Sequence, residues 1–522
     1  MEPKRDSGRG AGGSPEGDRL LAKEAATALN GPVDQEALKG RFTLILFLSV
    51  AGAACGSSFI FGYNIGAINP PRDAILHWIK ESHARMTSDG SGNGTVLTKE
   101  QVGVIFGWAV SLFPLGGVFG GISCGYAADR FGRKGGMLIN NCLCFFGALI
   151  MGFSKLADYW PMLLLGRFII GVNCGFNSGF APMYLTEIAP VNLRGMLGSV
   201  NQLFVTVSIL AASILGLKDL LGNDWGWPFL LGATAIPGIF QVILFALPVC
   251  PESPKYLLII KNQRQEAEKA LQRLRQKVDV QAELKVMQEE SDKIARAPKV
   301  KFVDMIKRPP LRWALTIAAA MMLAQQFSGI NAAFYFSNKI FVGAGLSVEE
   351  SGYATLGMCA INVAMTIVST VVVDRLGRRI LLLSGLGGMW ICSILICIGL
   401  VLTASQIKIG AYCAIGFVYL FVIAFATGPG SIPWFYVSEL FDQGARGTAN
   451  AVAVMSNWFA NFLVGLSFES WADITGPYAF LLFTFFLTIF WLFTFFYAPE
   501  TKNRQLEDIQ EELATTAPRG CR

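Results

Sequence analysis

The chain has 522 residues, of which 53% are hydrophobic and 15% charged, against roughly 25% charged in soluble domains, so an ordinary water-soluble enzyme does not fit. Its 43 basic and 37 acidic residues leave a formal charge of +6, but the basic residues sit in short loop clusters and not along one face, which argues against a nucleic-acid groove. The 11 cysteines are scattered through apolar runs, as at Cys142, Cys144, Cys392 and Cys397, and only two histidines occur, so no metal and no cofactor are expected.

The first 40 residues are rich in Gly, Ser, Pro, Glu and Lys without apolar periodicity and read as a mobile tail, with no basic segment leading into the short apolar one of a cleaved signal. Apolar runs long enough to cross a bilayer follow near 43–68, 102–127, 136–154, 161–184, 197–217 and 228–249. Residues 251–312 are charged and helix-prone, with leucines at 271, 274 and 284 in place of a continuous apolar run, and read as a solvated helical linker. A second set of spans lies near 313–341, 352–373, 380–404, 409–438, 448–468 and 477–498, and a polar tail, again expected to be mobile, occupies 499–522. The predicted fold is therefore an all-α membrane protein: twelve transmembrane helices in two six-helix bundles, 41–250 and 313–498, joined by the linker. The lipid bilayer is its first partner.

Arg130, Arg133, Lys134, Arg194, Arg375, Arg378, Arg379 and Arg446 fall in loops on one side, so both termini and the linker are expected to be cytoplasmic. The long first loop lies outside on this reading and carries Asn93-Gly94-Thr95, an acceptor for N-glycosylation. The halves also repeat each other. Asp129-Arg-Phe-Gly-Arg133 returns as Asp374-Arg-Leu-Gly-Arg378, Glu187 before Arg194 returns as Glu439 before Arg446, and Pro251-Glu-Ser returns as Pro499-Glu-Thr, each about 250 residues later. Six spans per half give both halves the same orientation, as in carriers built from parallel repeats. Positive-inside topology needs the arginines but not the repeated acids, so Asp129, Arg130, Arg133, Glu187, Arg194, Asp374, Arg375, Arg378, Glu439 and Arg446 read as an ionic gate that bridges the two bundles when the inner side is closed.

Within the spans the informative residues are amides: Gln202 in span 5, Gln325, Gln326 and Asn331 in span 7, Asn362 in span 8, and Asn457 and Asn461 one turn apart in span 11. One buried amide is usually a hydrogen bond between helices, whereas a cluster of groups that both donate and accept matches a polyhydroxylated ligand. Trp434 and Trp458 add flat apolar faces, and Gly428-Pro-Gly-Ser-Ile-Pro433 should interrupt span 10. In an unbroken helix Asn331 lies about 240° around the axis from Gln325, so these amides meet only if span 7 unwinds near Gly329. Between their ends the spans are expected to hold essentially no charged residue, and Asn64 stands where a proton carrier could sit. Passive, substrate-only transport follows.

Phe61-Gly-Tyr-Asn64, Asp129-Arg-Phe-Gly-Arg133, Pro182-Met-Tyr-Leu-Thr-Glu187, Gln325-Gln-Phe-Ser-Gly-Ile-Asn331, Gly428-Pro-Gly-Ser-Ile-Pro-Trp434 and Pro499-Glu-Thr-Lys502 together closely resemble the facilitative hexose (glucose) transporters of the major facilitator superfamily, over residues 40–505. The resemblance implies a plasma-membrane hexose uniporter. It implies sugar contacts at Gln202, Gln325, Gln326, Asn331, Asn362, Trp434 and Asn461, with Phe334, Phe425 and Trp458 as aromatic wall. Phe327 stands where glucose-selective members usually have Leu, and Ala426-Thr427 where they usually have an acid, so fructose or mixed specificity stays open beside glucose. Two alternatives remain beside uniport: a proton–sugar symporter, opposed by Asn64, and a non-transporting sugar sensor, opposed by the interrupted spans. No nucleophile–base pair or phosphate-cradling loop suggests an enzyme.

Overall fold

A backbone crossing hydrocarbon must satisfy its own hydrogen bonds, and the apolar runs do so as helices. The computed structural model describes residues 39–88, 95–296, 300, 302–407, 409–502, 504 and 506–516. Asn93, most of the N-terminal tail and the side chain of Asp374 lie outside the described residues. The first half spans Leu44–Gly66, Lys99–Phe131, Arg133–Phe153, Pro161–Ile188, Val191–Leu215 and Trp227–Ala246; the second spans Pro309–Tyr335, Val348–Val373, Arg378–Ala404, Ile409–Leu440, Gly444–Tyr478 and the shorter Leu481–Tyr497. No strand occurs among the described residues.

Small residues set how closely the helices approach. A Cβ on Gly116 would come within 2.2 Å of the Phe168 carbonyl oxygen, and one on Gly171 within 2.0 Å of the Phe113 oxygen, so spans 2 and 4 touch backbone to backbone. Spans 9 and 10 repeat the device, with Gly428 against the Leu381 oxygen at 2.2 Å. Between the halves, span 2 lies on span 11, where Gly117 admits the Trp458 ring and Gly121 faces Val454; span 5 lies on span 8, where the Ser213 hydroxyl is 3.5 Å from Cys359 Sγ. One turn beyond Gly121, nothing approaches Gly125 within 4 Å. The packing of span 2 against Trp458 and Val454 therefore does not extend to Gly125.

The linker forms helices Arg264–Arg275 and Gln281–Arg296. Leu271 and Leu284 share a small core with Leu258, Ala267, Val280 and Met287, whereas Leu274 packs into the first half. Buried Arg275 pairs with Glu283 at 2.9 Å and donates to the Ile188 carbonyl, which ties the linker to the end of span 4. Two helices lie in segments for which none was read from the sequence, the second of them in the tail expected to be mobile. The first long loop contains a helix, Arg72–Met86, which buries Ile75, Trp78 and Ile79. The C-terminal tail contains Leu506–Thr516, held by Ile509 and Leu513 in the core of the second half, because a polar segment with two apolar residues one turn apart suffices to seat a short helix.

Candidate functional site

Span 7 is broken where the amide geometry demanded it. The helix Pro309–Phe327 stops, Gly329 takes φ +92°, and a new helix begins at Ile330–Tyr335. Glycine is required twice over: the left-handed backbone is strained for any other residue, and a Cβ would meet the Phe483 ring at 2.4 Å. The break lets the Asn331 amide nitrogen donate to Gln326 Oε1, although residues five apart in an intact helix lie about 140° apart. Span 10 is interrupted as well, with Ile409–Thr427 and Ile432–Leu440 on either side of Gly428-Pro-Gly-Ser431.

The two interruptions serve each other. Gln325 Nε2 donates to the carbonyls of Pro429 and Gly430, both at 2.8 Å, satisfying acceptors that the broken helix frees. Its Oε1 accepts from Asn457 Nδ2 at 2.7 Å, and Gln326 Nε2 donates to Asn457 Oδ1 at 3.1 Å. Asn331, Gln326, Asn457 and Gln325 thus form one buried amide chain running from span 7 through span 11 to the break in span 10. Gln325 spends both N–H groups on backbone. Asn461, one turn from Asn457, keeps its Oδ1 without a partner although it is buried. The Asn362 amide is buried without a side-chain hydrogen bond among the described residues, and Gln202 and Trp434 are half-buried. Phe334 and Phe425 are buried. Trp458 lies in the seam between the halves, its ring 5.3 Å from Phe61 and 5.8 Å from Phe113, with its indole N–H unpartnered. A cavity of about 420 Å³ lies elsewhere, at the end away from the linker, between Asp73 and His77 of one half and Glu349 and Tyr353 of the other.

At the linker end each half builds the same ionic nest. Arg133 donates to Glu187 at 3.0 Å, and Ser253 donates to the other oxygen of that carboxylate; Arg378 donates to Glu439 at 3.0 Å, and Thr501 takes the place of Ser253. Glu252 accepts from the backbone N–H groups of Arg133, Lys134 and Gly135, and Glu500 from those of Arg378, Arg379, Thr501 and Lys502. Both carboxylates therefore sit at the start of a helix, where unpaired N–H groups favour an anion. Burial raises the Glu500 carboxyl, but these N–H bonds outweigh it and hold it below the ordinary value. Gly132 and Gly377 turn with φ +83° and +92° directly against the two acids.

Both Arg–Glu pairs close within their own half, because each arginine and its acid lie on neighbouring spans of one bundle. Asp129 stands 3.8 Å from Arg133, and Arg130, Arg194, Arg375 and Arg446 are exposed. At the opposite end two polar contacts cross between the halves: Arg72 pairs with Glu469, and Asn69 donates to Ser337 at 2.7 Å. These contacts hold the two halves together at the end away from the linker.

The expected absence of charge within the spans fails at Arg167. This fully buried guanidinium in span 4 donates to the Ala109 and Asn64 carbonyls at 3.0 Å and lies 4.6 Å from the Phe113 ring centroid. Sequence reasoning also passed over the amides of the first half. Asn140 and Asn173 each donate to the other's carbonyl, Asn177 bonds both side chains, and Gln241 joins Asn141, Ser57 and the Gly52 carbonyl beside the π-helical turn Gly52–Ser58. The residue types were visible, but no motif gathers them.

A family model described as "Sugar (and other) transporter" matches residues 50–513. The chain is 48% identical over 460 residues to Facilitated glucose transporter protein 1 of Caenorhabditis elegans, covering 88% of each chain. It is 43% identical to solute carrier family 2, facilitated glucose transporter member 1 of Gallus gallus, over 90% of this chain and 93% of that one. In fold it is similar to the xylose transporter XylE from E. coli in a partially occluded inward open conformation, with a TM-score of 0.72 at 23% identity, covering 89% of this chain and 100% of that one.

Proposed function

This chain belongs to the sugar transporter family, and from that membership we propose that it is a facilitative hexose uniporter of the plasma membrane, with its termini in the cytoplasm and glucose as lead substrate. It is a transporter and not an enzyme. The observation that carries the reading is the amide chain Asn331–Gln326–Asn457–Gln325, built where spans 7 and 10 both break. Amide groups that donate and accept suit sugar hydroxyls, and broken helices let short segments move over a ligand without unfolding a whole span.

In this mechanism the hexose sits between the halves against Gln202, Gln326, Asn331, Asn362, Trp434 and Asn461, with Phe334 and Phe425 beside it. Gln325 holds the break in span 10 in register. The seam of spans 2 and 11 and of spans 5 and 8 acts as the fulcrum. Transport requires Arg72–Glu469 and Asn69–Ser337 to part on the outer side while the linker end closes. The ionic nests keep the inner ends of each bundle rigid, so the bundles rock as bodies.

Proton coupling is the competing reading. A pathway group that exchanges protons would have to sit among these residues, and position 64 is an asparagine whose amide nitrogen bonds the Ile60 carbonyl and Thr234. Arg167 is fixed by the Ala109 and Asn64 carbonyls and the Phe113 ring, and its guanidinium offers donors but no acceptor for a proton. Tracer glucose uptake into proteoliposomes at two external pH values, with fructose and galactose competing, tests class, coupling and selectivity together. Equal rates at both pH values are expected; uptake that needs an inward proton gradient would overturn uniport.

A further inference from the structure

A short helix, Phe302–Lys307, precedes span 7 and meets it at Arg308, where the backbone turns extended before Pro309 begins the span. Its inner side is anchored: Met305 is fully buried, and the neighbouring Val300 bonds Gly444 and Thr448 at the start of span 11. Its outer side is apolar and open, with Phe302 46%, Val303 54% and Ile306 44% exposed. Three of six residues facing outward as large apolar groups would be costly in water, but this helix lies directly at the membrane entry of span 7. Lys307 ends it and Arg308 follows, both exposed and without a side-chain hydrogen bond or ion pair among the described residues. Lys299 and Lys301 add to the same basic stretch, and Asp304 is the one acid within the helix.

A short helix at the entry of a span, with an apolar exposed face and a basic end, can insert that face among acyl chains and draw negatively charged headgroups to its end. We propose that Phe302–Arg308 is a binding site for an anionic phospholipid, with Phe302, Val303 and Ile306 among the upper acyl segments and Lys307 and Arg308 on the headgroup phosphate. The site grips the second half where spans 7 and 11 begin, so an occupied site fixes the inner end of that bundle in the leaflet. Naming the leaflet as cytoplasmic rests on the orientation proposed above; the binding itself does not.

The test uses the purified full chain in neutral detergent, read by its melting midpoint with dioctanoyl-phosphatidylserine, dioctanoyl-phosphatidylcholine or inorganic phosphate. Phosphatidylserine should raise the midpoint of the wild-type chain, and the other two should not. In Lys307→Gln/Arg308→Gln the apparent affinity for phosphatidylserine should fall about 30-fold, on the order of 1 kcal/mol for each basic residue. Phe302→Ser/Ile306→Ser should weaken it as well, and stabilisation by glucose should persist in both variants as the check on folding. Equal response to phosphatidylserine in wild type and the basic double variant would overturn the proposal, as would stabilisation by phosphatidylcholine or by phosphate alone. Loss of glucose stabilisation with phosphatidylserine binding intact would instead count against the transport reading.

Discussion

The two halves share an ionic nest at the linker end built from matching groups, yet they use buried amides for different ends. In the first half Asn140, Asn173 and Asn177 close on one another between uninterrupted helices, and Gln241 knots spans 1, 3 and 6. In the second half Asn331, Gln326, Asn457 and Gln325 run in a chain that begins at one helix break and ends at another. The residue type is the same. What separates a fastening from a site is whether its partners sit on segments that can move.

The sharpest way to break this contrast is to remove an amide from each half. Asn173→Leu keeps the volume but removes a hydrogen bond to the Asn140 carbonyl and strands the Asn177 amide nitrogen in a buried layer, at about 1–3 kcal/mol for the unpaired group. The melting midpoint and surface expression should fall steeply, while the protein that survives binds glucose with unchanged affinity. A selective loss of affinity there would erase the distinction between the halves.

Gln326→Leu and Asn331→Ala should behave in the opposite sense. Each removes groups proposed to face sugar hydroxyls, so glucose affinity should weaken by about 1–3 kcal/mol, roughly 5- to 150-fold, with the melting midpoint nearly kept. Competition of unlabelled glucose against tracer in proteoliposomes measures it. Wild-type affinity in both variants would take the amide chain out of the site.

A smaller effect belongs to the outer latch. Glu469→Gln removes the charge that holds Arg72 across the halves, so the population should shift toward the outward-open state by about 1–2 kcal/mol, roughly 5- to 30-fold. Cysteines placed at the outer mouth should label faster in the variant. Identical labelling would place the closure elsewhere, on Asn69–Ser337 and the helix seam.

The same contrast explains what could be read from the sequence. Span positions, the repeat, and the breaks at Gly329 and Gly428 are local consequences of apolar length, glycine and proline, so they were legible. The demand that span 7 unwind followed from helix geometry alone. The Arg167 cage, the first-half amide lock and the seating of Ile509 and Leu513 depend on partners brought from distant segments, and no spacing along one helix encodes them. The repeated Arg and Glu residues announced ion pairs, but not that each pair stays inside its own bundle. Trp458 shows the same limit, since an aromatic near two amides reads equally as a ligand wall or as packing against Gly117.

The smallest expected effect separates the two nests. In the first half Glu252 leads straight into the linker, which is held by its own core, whereas Glu500 is followed by a single helix seated through Ile509 and Leu513. The Glu500 carboxyl is held below its ordinary value, so its contribution is complete above pH 4.5 and is lost as pH falls through the depressed value. Protonation removes an acceptor from four backbone N–H groups at the start of span 9 and at the root of the tail. Protection of the amides in Leu506–Thr516 should therefore hold from neutral pH down to the ordinary carboxylate value and fall only as pH passes through the depressed one, ahead of the linker helices. Glu500→Gln should show the faster exchange already at neutral pH and lose the acid step. If the tail and the linker released together, or if the variant kept the wild-type profile, the tail helix would be held by its apolar pair alone and the Glu500 nest would serve only the turn at Gly377.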